Sequence, residues 1–316
     1  LGTWPAKLIP WKKISNVIEF VFWGLSQNIE VEEVCSVVFS FFYMVILLGN
    51  FVIILMVCVG NLFKSPMYFF LNYLSFVDIC YSSVIAPKMI LDLLAKKKTI
   101  YMGCMLQLFG VHFFGCIDIF ILTVMAYDCY MAICKPLYYM TIMDRDRCNK
   151  MLLGTWIGGF LHSIIQVALV VQLPFCGPNE IDHYFCDVHP VLKLACTDTY
   201  VVGGVVTANS GTMALGSFVI FLISYIVILV SLRKQSAEGR HKALSTCGPH
   251  IAVIGIFFGP CTFMYMCPDT TFSEDKMVAV FYTIITPMLI PLIYTLRNAE
   301  EKSNEETVGQ ESFLRG

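Results

Sequence analysis

M-A-Y-D-C-Y-M-A-I-C-K-P-L-Y-Y, residues 125 to 139, follows an apolar run from Leu106 to Ala126 and contains the pair Lys135-Pro136. Apolar residues give way to Asp128 and Lys135, and Pro136 discourages helix in the residue before it. This is the pattern of a membrane helix leaving the hydrocarbon, and it presents Asp128, Cys129 and Tyr130 at the aqueous edge.

The composition outside this exit agrees with it. Of 316 residues, 57% are hydrophobic and 14% charged, too apolar a balance for a soluble domain of this length. Seven apolar stretches, approximately 34–60, 66–91, 101–133, 149–172, 204–232, 243–267 and 276–298, are long enough to cross a bilayer. Each crossing of about 30 Å takes about 20 helical residues. The predicted architecture is an all-α membrane protein: a seven-transmembrane helix bundle over 34–298, a polar N-terminal arm at 1–33 and a tail at 299–316. Lys7, Lys12 and Lys13 precede any sustained apolar core, so no signal peptide is evident and the first span is expected to act as the insertion signal. A net charge of -2 without aromatic-basic interleaving offers no footprint for nucleic acid. Metalloprotease, nucleophile-elbow and phosphate-loop patterns are absent, which argues against an enzyme. Neither a duplicated half nor a polar pore supports a transporter or channel.

Lys and Arg divide almost evenly between the two faces and barely orient the chain. Cysteines orient it better. Cys176, Cys186 and Cys196 crowd the fourth-to-fifth connection, and Cys104 opens the third span on the same side. Thiols gathered on one face imply an oxidising compartment, so that face is expected outside and the C-terminus in the cytoplasm. Four cysteines allow three connectivities, and the C-x2-C spacing of a zinc site is missing.

Polar residues inside the spans need partners from other helices. Asn50 raises that demand in the first span, Asp78 in the second and Asp118 in the third. Asp118 lies 14 residues beyond Cys104, roughly 21 Å down the helix axis, near mid-depth. Two carboxylates at one level without an intramembrane Lys or Arg predict either a shared proton or a bound cation. Val111, His112, Gly115, Cys116 and Ile119 share a face of the third span by three-and-four spacing, with His112 its polar member. Trp156, Gly158 and Gly159 mark the fourth span as a packing helix. Asn209, Ser210 and Met213 stand in the outer half of the fifth span, and Cys261, Thr262 and Tyr265 share a face of the sixth.

Five motifs carry a resemblance. They are the exit at 125–139, Lys64-Ser65-Pro66-Met67-Tyr68-Phe69-Phe70-Leu71 with Leu74-Ser75-Phe76-Val77-Asp78-Ile79-Cys80, Ser224-Tyr225, Lys242-Ala243-Leu244-Ser245-Thr246-Cys247, and Pro287 through Asn298. Over roughly residues 30 to 298 the chain resembles the vertebrate odorant receptors, a branch of the rhodopsin-like G-protein-coupled receptors. The resemblance implies a plasma-membrane receptor for a small, mostly apolar odorant, bound by His112, Gly115, Cys116, Asn209, Thr262 and Tyr265. It pairs Cys104 with Cys186 and Cys176 with Cys196. Coupling to a heterotrimeric G protein of the olfactory stimulatory class falls to Asp128, Cys129, Tyr130, Tyr225 and Tyr294. Asp78 and Asp118 would hold a sodium ion, with no other cofactor and membrane lipid as the remaining partner.

Several residues depart from that pattern. Cys129 stands where the family has Arg, Ile290 where it has Asn, and Pro249 where it has Ser. Asn16-Val17-Ile18 looks like a glycosylation sequon that has lost its Thr, and the tail carries Glu300, Glu301, Glu305 and Glu306 where the family has a basic amphipathic helix. An acidic tail is repelled by anionic lipid and is expected to be disordered. Cysteine cannot replace a guanidinium's fork of donors. These departures, with a start at Leu1 instead of Met, frame an alternative: a degraded, pseudogene-like receptor fold unable to signal.

Overall fold

The computed structural model describes residues 19–23, 28–94, 99–175, 179–181, 183–233, 236–237, 239–240, 247–248, 250–258, 276, 279–291 and 293. Five long helices cover the first five predicted spans: α1 (Ile29–Val59), α2 (Pro66–Leu94), α3 (Tyr101–Cys134), α5 (Arg145–Val171) and α7 (Tyr200–Leu232). Between them lie two short helices, α4 (Pro136–Ile142) and α6 (Val188–Leu192). The described residues at 247–258 and 279–293 are also mostly helical and fall in the sixth and seventh predicted spans.

Local chemistry sets the helix ends. The Asn28 side chain accepts the Glu30 N–H at 3.0 Å, and Asp144 accepts the Arg147 N–H at 2.8 Å, so each satisfies an otherwise orphaned donor. These caps start α1 and α5 several residues ahead of the apolar runs, on polar first turns that sit at the membrane surface. Pro66 opens α2, and Pro136 opens α4 after the chain bends at Lys135, as the proline requires.

Small residues fix how closely the helices pack. A Cβ on Gly158 would stand 2.6 Å from the Phe120 ring, and one on Gly159 would stand 2.7 Å from Ile117, so α5 lies directly against α3. A Cβ on Gly49 would stand 2.9 Å from Pro291, which brings α1 against the seventh span. Next to it Asn50 donates to the Pro287 carbonyl at 3.3 Å, the interhelical partner its depth demands. At the start of α5 the Arg145 guanidinium lies 4.4 Å over the Phe69 ring and donates to the Phe63 carbonyl.

The outer end of the bundle differs from expectation. The arm read as polar carries β1 (Glu19–Phe22), which pairs antiparallel with β2 (Thr99–Ile100) and parallel with β3 (Glu180–Ile181). Phe20 and Phe22 of β1 are buried in an apolar cluster with Cys104, Phe175, Cys186 and Val206. Alternate residues of a strand face one way, so two apolar side chains at i and i+2 suffice to seat the arm. Only four residues are involved, too short an alternation to stand out beside seven membrane spans.

Candidate functional site

The loop after α5 descends into the mouth of the bundle. Cys186 is disulfide-bonded to Cys104 at the start of α3, the pairing the resemblance implied. Cys196 is also disulfide-bonded, and Cys176 lies outside the described residues. Gln107, one turn into α3, accepts the Cys186 N–H at 3.0 Å and donates to the Val84 carbonyl of α2 at 3.0 Å. His183, Tyr184 and Phe185 pack ring against ring beside this bridge. Tyr184 is fully buried, and its hydroxyl lies 3.1 Å from that of Thr283. Because Thr283 donates its own proton to the Ala279 carbonyl, it accepts from Tyr184. Thr283 belongs to a π-helical turn, Phe281–Ile285, a break in regular helix found often at functional sites. Burial pushes the Tyr184 phenol far above its ordinary pKa, so it remains a hydrogen-bond donor.

Below this plug, polar side chains from α3, α5 and α7 converge. Gln166 donates to Ser210 Oγ at 2.8 Å and to the Val206 carbonyl at 3.4 Å. One turn deeper, Asn209 donates to His162 Nδ1 at 3.2 Å, and the His162 ring faces that of His112 at 5.7 Å. Deeper still, the Cys116 thiol meets the Met213 sulfur at 2.9 Å. On the α3–α5 contact Phe109 packs against Phe113 and Phe160, and Phe113 against Trp156, with Phe160 exposed. A few convergent polar groups among apolar and aromatic side chains are the composition of a small-molecule site.

The third-span face read from spacing divides. His112 and Cys116 turn to α5 and α7, whereas Gly115 lies against Tyr81 of α2 and Val111 packs with Tyr81 and Tyr184. Two helical neighbours one residue apart point about 100° away from each other, so a five-residue face spans two clefts. Thr262 and Tyr265 lie outside the described residues. His162 and Gln166 are the participants that sequence reasoning missed. Their signal was present, two polar residues one turn apart in an apolar helix, but the neighbouring glycines directed attention to packing alone.

At mid-depth, Asp78 and Asp118 lie within each other's electrostatic reach. Asp78 Oδ2, Asp118 Oδ1 and the Ser75 hydroxyl, one turn before Asp78, are buried without a hydrogen-bond partner among the described residues. Ile290 is buried in the apolar core with Leu74 and Val77 and brings no polar atom to them.

At the far end of α3 Asp128 accepts the Tyr139 hydroxyl of α4 at 2.9 Å. Burial, and then the neighbouring Asp128 carboxylate, raise the Tyr139 phenol well above its usual pKa. Cys129 is buried in an apolar cluster with Ile228 and Leu232 of α7 and Cys247, and Tyr130 packs against it. The Tyr225 hydroxyl and His250 Nδ1 are hydrogen-bonded, linking α7 to the sixth span. Tyr294, Pro249 and the tail at 299–316 lie outside the described residues, as does Asn16.

The sequence pattern of the family described as olfactory receptor matches residues 39–307. Human olfactory receptor 4S2 is 83% identical over 305 residues, covering 96% of this chain and 98% of the relative. Human olfactory receptor 4B1 is 58% identical, covering 94% and 99%, and mouse olfactory receptor 4B13 is 57% identical, covering 92% and 95%. Squid rhodopsin superposes with a TM-score of 0.68 at 16% identity, over 87% of this chain and 84% of its own, and that likeness shows the seven-helix fold. With the family pattern spanning most of its length and relatives this close, the chain is a multi-pass membrane protein that belongs to the olfactory receptor family of G-protein-coupled receptors.

Proposed function

We propose that the chain is an odorant receptor whose ligand occupies the cleft between α3, α5 and α7 and whose occupancy is read at the cytoplasmic end by a heterotrimeric G protein of the olfactory stimulatory class. The observation that carries this reading is the polar seam of His112, His162, Gln166, Asn209 and Ser210 between three helices, with His162 and Gln166 buried. His112, Cys116 and Asn209 contact the ligand from the described residues, with Thr262 and Tyr265 completing the site from the sixth span. A ligand shifts the bundle only by binding the signalling packing better than the resting one. In the resting packing Cys129 seals the cytoplasmic end with Ile228, Leu232 and Cys247, and coupling requires α7 and the sixth span to part there. Asp128, Tyr130, Tyr225 and Tyr294 frame the opened cleft. Neither family nor fold favours the non-signalling alternative.

The reading puts the receptor in the plasma membrane with the Cys104–Cys186 face outside, because a disulfide persists in an oxidising compartment. The C-terminus is then cytoplasmic. It also assigns sodium to Asp78 and Asp118, whose unpartnered oxygens, with that of Ser75, suit a hard cation. Sodium there would offset one of two buried negative charges, and replacing it by choline is expected to lower the melting temperature of the native receptor but not of Asp78→Asn.

The deciding experiment pairs surface labelling with cAMP readout of an odorant panel for the native chain and Cys129→Arg, in cells that supply the olfactory G protein. A response from the native chain is expected. Silence of both at normal surface levels across a broad panel contradicts the reading.

A further inference from the structure

The polar seam is not fully satisfied, and what it lacks has a chemical identity. Gln166 is completely buried, and its Nε2 is committed to Ser210 Oγ and the Val206 carbonyl. A backbone carbonyl only accepts, so the amide cannot be flipped without losing that bond. Gln166 Oε1 is therefore left pointing as an acceptor, buried and without a partner among the described residues. Among the described residues His112 Nε2 is buried and unpartnered too, on a ring that faces His162, one turn from Gln166. Such atoms have given up water and gained nothing for it, which is costly in a low-dielectric interior.

Ligand classes differ in how they answer these two atoms. A hydroxyl group donates and accepts, so it satisfies Gln166 Oε1 and suits either tautomer of His112. An aldehyde or ketone only accepts; it leaves Gln166 Oε1 orphaned and adds the burden of its own carbonyl. A hydrocarbon leaves both orphaned. A carboxylic acid is ionised at neutral pH and brings a charge with acceptors only. The neighbouring Phe113, Cys116 and Met213 are apolar and suit an apolar skeleton on the ligand.

Resting on the odorant-receptor reading above, the geometry points to a receptor for alcohols and phenols: an apolar skeleton with one neutral hydroxyl, recognised by Gln166 Oε1 and His112 Nε2. Selectivity is directed against the carbonyl and hydrocarbon analogues of the same skeleton. A site built to hydrogen-bond a hydroxyl rejects the analogue lacking it more strongly than an apolar pocket rejects a missing methylene.

The test is a melting-temperature titration of the purified full chain, which is independent of G-protein coupling. Two matched series serve as probes: octan-1-ol, octanal and octane, and 2-phenylethanol, phenylacetaldehyde and ethylbenzene. The alcohol of at least one series is expected to stabilise the receptor at about tenfold lower concentration than its aldehyde or hydrocarbon. Gln166→Met and, independently, His112→Phe should reduce that preference while keeping the apolar binding. Equal stabilisation by alcohol, aldehyde and hydrocarbon, or a preference for the aldehyde, overturns the hydroxyl assignment and leaves the odorant site intact. If none of these compounds, nor a wider odorant collection, shifts the melting temperature, the odorant reading itself fails and takes this assignment with it.

Discussion

The two ends of the bundle are held by different physics. At the outer end a disulfide, Gln107 and the Tyr184–Thr283 pair tie the descending loop to α2, α3 and the seventh span through specific, directional bonds. At the opposite end the contact between α3, α7 and the sixth span is an apolar cluster around Cys129, flanked by the Tyr225–His250 bond. Directional bonds hold one geometry and are expensive to leave unmade, whereas apolar contacts are proportional to area and re-form in a new packing. A receptor that must keep its mouth registered while its inner face opens is served by that division.

The comparison breaks most severely if the outer end is released. Cys104→Ser removes a crosslink across 82 residues and is expected to cost about 2–5 kcal/mol, seen as near-complete loss of surface labelling. Retention of normal surface levels would show that the loop is held by packing alone. A second route tests the shared scaffold: Gly159→Leu drives a side chain into Ile117 and should destabilise by about 1–3 kcal/mol in a thermal melt of the purified receptor. Gln107→Leu strands the Cys186 N–H and the Val84 carbonyl, at about 1–3 kcal/mol, and hydrogen exchange should rise at Cys186 but not at Cys129. The smallest change is Tyr184→Phe, about 1 kcal/mol, because Thr283 keeps its bond to Ala279. If the π-helical turn senses the plug, this variant alters basal cAMP; an unchanged basal level would confine Tyr184 to a stabilising role.

Much of this was legible in the sequence because membranes simplify the reading. Apolar length found the spans, and the demand for partners at depth anticipated that Asn50 would reach another helix, which proved to be the seventh at Pro287. Gly158 and Gly159 signalled close packing, and Ile117 and Phe120 are what they pack against. Periodicity could not say which of two clefts Gly115 and Cys116 face, since that depends on the rotation of α3 about its axis. Nor could it foresee that Asp128, beside a cysteine in place of arginine, takes the Tyr139 hydroxyl from the next helix. The seating of β1 was hidden for another reason: its partners are far away in sequence, and four residues carry little pattern.

That strand also sets an order of events during biogenesis. β1 emerges from the ribosome first, yet its partners at Thr99–Ile100 and Glu180–Ile181 follow only after two and four spans have been made. The apolar cluster that buries Phe20 and Phe22 is therefore complete only once the loop behind α5 has been made. Docking of the arm is a late step of assembly, and a chain whose arm remains undocked leaves two aromatic side chains without their apolar cluster.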